Sequence, residues 1–370
     1  MRLLLFISDL SIGGAQRQLT LLAGGLKKRG VDVRVASLQR QGAFLGTLEE
    51  LGIEVHGLGG SSAMRTPQVA HALTQLVRTT RTDVVYSLLP AANVLSSILR
   101  VTAPGCRLVW GMRSAELPLA RFTGLSRTAY RLERALSFVP DLIISNSRRG
   151  RRDALAQGYP SEKMYVVRNG FDTEQFRPDS GAGRALRSFW GVPDEALLIG
   201  KIARVAPKKN HGSFIKAAAR LAHKHPEVYF VAVGEGPEAA IAELKQLAYS
   251  NGLGERMIWA GRRDDMPSVM NACDIVTLTS VAEGFPNAIA EAMACGVPCV
   301  ASDAGDTAEL IAETGHVFAP MDTEGLVAAW EQLIDPMVRS NLGAAARQRI
   351  VEHFSVASLV DQTLKALDKA

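Results

Sequence analysis

Cysteine is scarce in this 370-residue chain, and its four copies are scattered: Cys106, Cys273, Cys295 and Cys299. Four thiols at these spacings are too few for a disulfide framework. Cys295 and Cys299 have no nearby histidine, which argues against a metal site. We therefore expect core cysteines in a protein of a reducing, cytoplasmic compartment.

Long apolar runs are also missing, since no stretch approaches the ~18–20 residues that cross a bilayer. Residues 3–7 form an apolar run of only five residues before Ser8 and Asp9, without a small-residue cleavage pattern, so they predict a first strand rather than a signal peptide. No Asp-x-Asp element occurs, so we expect no required divalent metal. The segment beginning at Gly234 lacks the third glycine of a dinucleotide fingerprint, which argues against a NAD site.

Charge is distributed unequally along the chain. The net charge is +5, yet residues 1–180 carry +10 and the remainder carries −5. With 47% hydrophobic and 21% charged residues, the composition predicts large cores and little disorder. A sign difference between the halves indicates that they face different partners.

Apolar, β-rich runs alternate with helical stretches, which predicts an α/β protein with parallel sheets built from βαβ units. Chain length favours two domains. The predicted strands are 3–8, 32–38, 53–58, 83–89, 107–112, 141–146 and 164–168 in the first half, and 197–203, 228–233, 257–260, 274–280 and 299–302 in the second. A linker near 178–184 separates the halves, and an amphipathic helix ends the chain.

The most informative segment is Glu283-Gly-Phe-Pro-Asn-Ala-Ile-Ala-Glu291, which follows the buried strand predicted at 274–280. A turn therefore follows a strand end, and a helix opens near Asn287. Ligands of α/β sheets bind at such strand ends, and helix starts favour anions. The two carboxylates beside this start suit hydroxyl groups, so the segment predicts a nucleotide sugar as ligand.

This block, with the following Ala292-Met-Ala-Cys-Gly-Val-Pro298, resembles the Glu-x7-Glu motif of the family 4 (group 1) retaining glycosyltransferases. The resemblance implies the GT-B fold: two Rossmann-like, doubly wound domains that face a cleft. It assigns 1–178 to an acceptor-binding domain and 179–354 to a nucleotide-sugar domain. The terminal helix, 355–370, is expected to cross back to the first domain.

The resemblance also implies roles for the residues of the second half. Arg204 and Lys209 keep the family's spacing of an Arg and a Lys that reach the donor diphosphate. There they stabilise the charge of the leaving diphosphate, as a metal ion does in other enzymes. Glu283 is expected to hold hydroxyls of the donor sugar, and Glu291 those of the ribose. Further donor contacts are expected from the backbone of Gly284, Phe285, Pro286 and Asn287, and from Arg262 near the base.

In the first half, Gly14 belongs to a Gly-Gly turn that the family places against the donor diphosphate, with Gln16 in place of the usual glutamate. Many relatives carry a histidine in a loop of this domain near the sugar. The two corresponding loops here contain none, and Asn93 and Arg113 are the candidates for that space on the acceptor side.

Arginines cluster on a predicted helix at positions 121, 127, 131 and 134 and again at 148–152. An arginine-rich face with aromatics can indicate RNA, but no RNA-binding motif is present, so no nucleic-acid partner is expected. A cytoplasmic, anionic membrane surface is one interpretation. A solvated helix face is the other.

Together these features predict a retaining, metal-independent glycosyltransferase that needs no cofactor. Its donor is a UDP-, GDP- or ADP-sugar, and its acceptor is a hydroxyl of a lipid-linked or cell-envelope glycan. Two alternatives remain open. One is a nucleotide-sugar 2-epimerase of the same fold, and the other is an inert subunit that only binds nucleotide sugars.

Overall fold

In the computed structural model, which describes residues 1–60, 66–113 and 124–369, the chain divides into two compact units. Unit 1 comprises 1–170 and 356–370, and unit 2 comprises 171–355. Each unit contains one parallel β-sheet, and helices connect most of its consecutive strands. The predicted α/β, doubly wound fold class is confirmed.

Unit 1 has a seven-stranded sheet in the order β3-β2-β1-β4-β5-β6-β7. Its elements are β1 (Arg2–Ile7), α1 (Gly14–Lys28), β2 (Asp32–Ser37), α2 (Leu45–Glu50), β3 (Glu54–Gly57), α3 (Thr66–Thr79), β4 (Val84–Leu88), α4 (Pro90–Ser96), α5 (Leu99–Thr102), β5 (Arg107–Met112), α6 (Gly124–Ala135), β6 (Leu142–Ser145), α7 (Arg148–Ala156) and β7 (Met164–Val166).

Unit 2 has a six-stranded sheet in the order β10-β9-β8-β11-β12-β13. Its elements are α8 (Ser180–Phe189), β8 (Leu197–Ile202), α9 (His211–Lys224), β9 (Val228–Val233), α10 (Glu238–Ser250), β10 (Met257–Gly261), α11 (Met266–Ala272), β11 (Ile275–Leu278), α12 (Asn287–Ala294), β12 (Cys299–Ser302), α13 (Thr307–Ile311), β13 (His316–Phe318), α14 (Thr323–Glu331) and α15 (Pro336–His353).

All twelve strands predicted from the sequence are present in the structure, while β13 was missed. The central strands β1, β4, β8 and β11 are mostly buried apolar runs, as expected for sheets covered on both faces, whereas the edge strands β3 and β10 are only partly buried. β13 has only three residues, and Val317 is exposed, so it has no apolar pattern to detect. The four cysteines are buried free thiols.

The terminal helix α16 (Val356–Leu367) packs on α1 of unit 1. Gly25 permits the close approach, because a Cβ there would lie 2.5 Å from Val360 Cγ2. Arg29 and Asp361 add an exposed ion pair at 2.8 Å. The division after Gly170 lies earlier than the predicted boundary at 178, because Phe171 is buried in the core of unit 2.

Asn93, predicted to be on the acceptor side, is instead completely buried in unit 1. Its Oδ1 accepts a 2.8 Å hydrogen bond from Ser87 Oγ, and its Nδ2 donates to Gly111 O and, at 2.5 Å, to Glu133 Oε1. An amide with both ends engaged inside the unit cannot contact an acceptor. This assignment was wrong: Asn93 holds α4 against β5 and α6.

Glu133 is the titratable member of this network. Its carboxyl group is buried, and desolvation raises its pKa from the ordinary value to about 7, although the hydrogen bonds from Asn93 and Tyr159 oppose the shift. The folded protein therefore retains a proton that the unfolded chain loses at lower pH. Stability associated with this proton is lost as the pH rises through about 7.

We expect Glu133→Gln, which keeps the hydrogen-bonding shape without the charge, to remove this pH dependence. Between about pH 5 and about pH 8, the free energy of unfolding of the wild type should fall by roughly 3 kcal/mol relative to the variant. Urea titrations at both pH values measure the difference. Glu162→Gln, at an exposed carboxylate of the same unit, is the control, and the same pH dependence in all three proteins would contradict the assignment.

Candidate active site

In unit 2, most predicted site residues gather at the carboxyl edge of the sheet. β8 and β11 are neighbours at the point where the strand order reverses, and crevices form at such switch points. The loop after β8 carries Arg204 and Lys209, and the loop after β11 carries Glu283. The structure thus brings together cations and a carboxylate that lie far apart in the sequence.

Lys209 and Glu283 form an ion pair in which Lys209 Nζ donates to Glu283 Oε1. Their side chains are only 19% and 9% exposed, so solvent screens the attraction less than at an open surface. The backbone joins the same two loops, because the Val281 N–H donates to Lys208 O at 2.9 Å. Any anion that binds Lys209 must compete with Glu283.

Arg204 differs from Lys209 in its surroundings. Its side chain is exposed, and within the described residues its guanidinium forms no hydrogen bond or ion pair. An arginine in this state presents a planar fork of donors that suits phosphate oxygens.

The turn from Glu283 to Asn287 is fixed from below by an aromatic anchor. Phe285 is buried, with its ring 6.0 Å from that of Phe171 and 5.8 Å from that of Phe354. Gly305 packs against the turn, because a Cβ there would lie 2.4 Å from Glu283 O. The Phe285 side chain therefore faces the core, so Phe285 itself can contact a ligand only through its backbone.

Helix α12 begins at Asn287, as the sequence predicts, and Pro286 immediately precedes it. Glu291 lies about one turn further on, so it shares a helix face with Asn287. Glu291 is 7% exposed. A largely buried carboxylate thus lies one turn after the positive end of the α12 dipole.

Arg262 directly follows β10. This strand is separated by β9 from β8, at the switch point. Its exposed guanidinium is within ion-pair distance of Asp264 and Glu235, at 3.4 and 3.9 Å. Gly234 supports the intervening loop, because its φ is +146° and a Cβ there would lie 2.1 Å from Ala203 O. Arg262 therefore lies on the rim of this edge.

Three buried residues near the Lys209–Glu283 ion pair were not identified from the sequence: Lys201, Thr279 and His211. All three are buried, and Lys201 Nζ donates to Thr279 Oγ1 at 2.6 Å. Burial lowers the pKa of His211 to about 3, and Lys201 contributes to the decrease. A lysine inside the apolar strand Leu197–Ile202 was the signal that could have revealed this cluster.

The first-half candidates lie at the carboxyl edge of the sheet of unit 1. Gly14 is the first residue of α1, and Gln16 is buried with its Nε2 3.1 Å from Asp9 Oδ1. Arg113 follows β5, and its Nη1 donates to Asn169 Oδ1 at 2.9 Å. Arg113 is half-buried, and its Nε has no hydrogen-bond partner among the described residues.

The arginine clusters are partly engaged in local contacts. On α7, Arg149 pairs with Asp153 at 2.9 Å, and Arg151 donates to Met164 O. On α6, Arg131 and Arg134 are exposed and Arg127 is half-buried, whereas position 121 lies outside the described residues. Among the helices that the structure describes, none is long and apolar enough to span a bilayer.

Two family models match the chain. The one described as Glycosyltransferase Family 4 matches residues 12–175, and the one described as Glycosyl transferases group 1 matches residues 195–336. Together they cover both units.

Curated relatives extend this result. The Escherichia coli UDP-Gal:alpha-D-GlcNAc-diphosphoundecaprenol alpha-1,3-galactosyltransferase is 28% identical over 54% of this chain and 52% of its own length. The Vi polysaccharide biosynthesis protein VipC/TviE of Salmonella typhi is 27% identical over 99% of this chain and 71% of its own. The match thus spans about half the length of the galactosyltransferase.

Among solved structures, Anabaena HepE in complex with UDP-glucose is similar over 100% of both chains, with a TM-score of 0.84 and 26% identity. HepE in complex with UDP gives a TM-score of 0.85 at 25% identity, again over 100% of both chains.

Proposed function

Because the chain belongs to the family 4 (group 1) glycosyltransferases of the GT-B fold, we propose that it transfers a sugar from a nucleotide diphosphate donor to a hydroxyl group of an acceptor. The observation that carries this proposal is the arrangement of Arg204, Lys209, Glu283 and Glu291 at the switch point of unit 2. Two cations for a diphosphate and two carboxylates for sugar hydroxyls match the two halves of a nucleotide sugar.

UDP is the first nucleotide to test. HepE, which is similar to this chain over its whole length, is known in complexes with UDP and UDP-glucose. In this assignment Arg204 and Lys209 bind the diphosphate, and the backbone of Gly284 to Asn287 approaches it. Glu291 accepts hydrogen bonds from the ribose hydroxyls and Glu283 from those of the sugar. Gly14 of unit 1 and Arg262 supply the outer donor contacts.

The charges of the site suit departure of the diphosphate. As the bond between sugar and phosphate breaks, negative charge grows on the leaving oxygen, and Arg204 and Lys209 stabilise it. We propose that these two cations make a divalent metal unnecessary. Lys209 then exchanges Glu283 for phosphate, which frees Glu283 to hold the sugar.

We further propose that the reaction retains the anomeric configuration. The acceptor oxygen approaches on the face that the diphosphate leaves, and the departing phosphate oxygen takes the acceptor proton. This route needs no carboxylate nucleophile, in agreement with Glu283 being engaged by Lys209.

A lipid-linked or cell-envelope glycan is the acceptor class that we propose. The E. coli relative is named for a sugar on diphosphoundecaprenol, and the Salmonella typhi relative for Vi polysaccharide biosynthesis. Arg113, half-buried at the end of β5, is the remaining acceptor-side candidate of unit 1.

Donor binding is tested by thermal shift with UDP, GDP, ADP and their common sugars, in the presence of a chelator. A ligand at about 100 times its Kd should stabilise the protein by about 2.7 kcal/mol. Glu291→Ala should weaken binding by roughly 1–3 kcal/mol, since a hydrogen bond to a charged group is lost. Glu243→Ala, at an exposed helix position of unit 2, is the control. No response to any nucleotide would contradict the proposed donor site.

Retention is tested by the anomeric configuration of the product. With UDP-glucose as donor, we expect an α-linked glucoside, which proton NMR distinguishes from a β-linked one by its anomeric coupling. A β-linked product would contradict the front-face route. Conversion of the sugar without any acceptor would instead indicate an epimerase.

Peripheral membrane binding is proposed through the α6 surface, defined by exposed Arg131 and Arg134 with Leu132 and Phe138, whose side chains are 44% and 66% exposed. Basic side chains bind anionic headgroups while exposed apolar groups enter the interface. The same face would bring the enzyme to a lipid-linked acceptor at the cytoplasmic leaflet.

We expect sedimentation with phosphatidylglycerol-containing vesicles to exceed that with phosphatidylcholine vesicles and to decrease with salt. Replacing Arg131 and Arg134 by alanine should weaken binding about tenfold or more, at ~1 kcal/mol for each arginine. The control removes two exposed basic residues from unit 2, Arg220 and Lys224. Equal binding to neutral vesicles would show that α6 is only a solvated face.

A further inference from the structure

Lys201 is a fully buried lysine in a strand that is otherwise apolar. Its Nζ donates to Thr279 Oγ1 at 2.6 Å and lies 5.9 Å from the centre of the Phe214 ring. A buried ammonium loses its hydration, and one neutral hydroxyl compensates for little of that loss. The fold thus carries a costly charge beneath the candidate active site.

Thr279 links this ammonium to the loop that bears Lys209. Its hydroxyl donates to Asn210 O at 2.8 Å and lies 3.2 Å from Lys209 O. Asn210 has left-handed backbone angles and caps α9, so it determines where the Lys209 turn ends. The chain of contacts from Lys201 through Thr279 therefore fixes the backbone from which Lys209 extends.

The charges around Lys201 come from three elements. Lys209 lies on the turn above it, Glu283 on the loop after β11, and His211 at the start of α9. Burial, with a smaller contribution from Lys209, lowers the pKa of Lys201 to about 7, and Glu283 opposes the shift. His211 is neutral at this pH. Near neutral pH, Lys201 is thus poised between ammonium and amine.

We propose that Lys201 is a positioning residue of the donor site, an inference that rests on the proposed function. Lys201 fixes the Lys209 turn through Thr279, and it takes up a proton when the donor diphosphate binds. The diphosphate brings negative charge to Lys209 and offsets its repulsion of Lys201. The diphosphate carries two negative charges and displaces only the single charge of Glu283, so the net change favours the ammonium form of Lys201. The proton comes from solvent and remains on Nζ, so no bond of the donor is changed in this step.

A lysine that only filled space would behave differently. Methionine has a similar length and no charge, so Lys201→Met should relieve the desolvation cost and leave the melting temperature equal or higher. A purely structural role predicts unchanged donor binding in a variant that folds as well as the wild type. A positioning role predicts weaker binding in that same stable variant.

The test is isothermal titration calorimetry with UDP-glucose at about pH 7, in PIPES and in imidazole, buffers of different ionisation enthalpy. The diphosphate diester of UDP-glucose does not titrate there, so buffer-dependent heat reports protons taken up by the protein. We expect an uptake of up to about half a proton in the wild type, smaller at about pH 6, where Lys201 is already protonated. Lys201→Met should abolish this uptake and weaken binding about tenfold.

Lys208→Met is the matched control, because Lys208 is exposed on the same turn and its loss should leave the uptake unchanged. Uptake and affinity like those of the wild type in Lys201→Met would overturn the inference. Absence of UDP-glucose binding by the wild type would overturn the proposed UDP donor as well. If Lys201→Met does not fold, Thr279→Val tests the same link: we expect about fivefold weaker binding, and wild-type affinity would refute the positioning role.

Discussion

A sheet of parallel strands places every carboxyl end at one edge, and this constraint determines where the chain can assemble a binding site. In unit 2 the order reverses between β8 and β11, and ligands of doubly wound sheets bind at such a switch point. Lys209 and Glu283 are 74 positions apart in the sequence, yet they form an ion pair there. The charges of the site follow from topology more than from local sequence.

The Lys209–Glu283 ion pair also explains how the loops at the carboxyl edge of the unit 2 sheet keep their positions without a bound donor. Two largely buried opposite charges neutralise each other, while exposed Arg204 stays available to an anion. In the proposed mechanism a diphosphate replaces Glu283 as the partner of Lys209, and little backbone movement is expected because contacts of Phe285, Gly305 and Thr279 fix both loops. Polar groups fixed before the ligand arrives avoid the cost of reorganisation during the reaction.

The sequence was a good guide where burial dictates residue type. Strands covered on both faces are apolar, so the central strands could be predicted directly, and the start of α12 follows from the turn ending in Pro286. Residue type does not reveal which partner a polar side chain finds. Asn93 looked like a loop ligand but lies inside a network, because Glu133, 40 residues further along the chain, contacts it only after folding. β13 was too short and too exposed to leave a pattern.

Burial of a titratable group does not by itself indicate function, as Glu133 and Lys201 illustrate. Glu133 is bonded to Asn93 and lies beside Tyr159, and among the described residues it has no link to the Lys209–Glu283 pair, so we expect its protonation to follow pH alone. Lys201 is bonded to one neutral hydroxyl and lies beside Lys209 and Glu283, which reach solvent. Its protonation must therefore respond to whatever binds at that edge. A buried charge senses a ligand only when its neighbours can touch one, and of the two groups only Lys201 meets this condition.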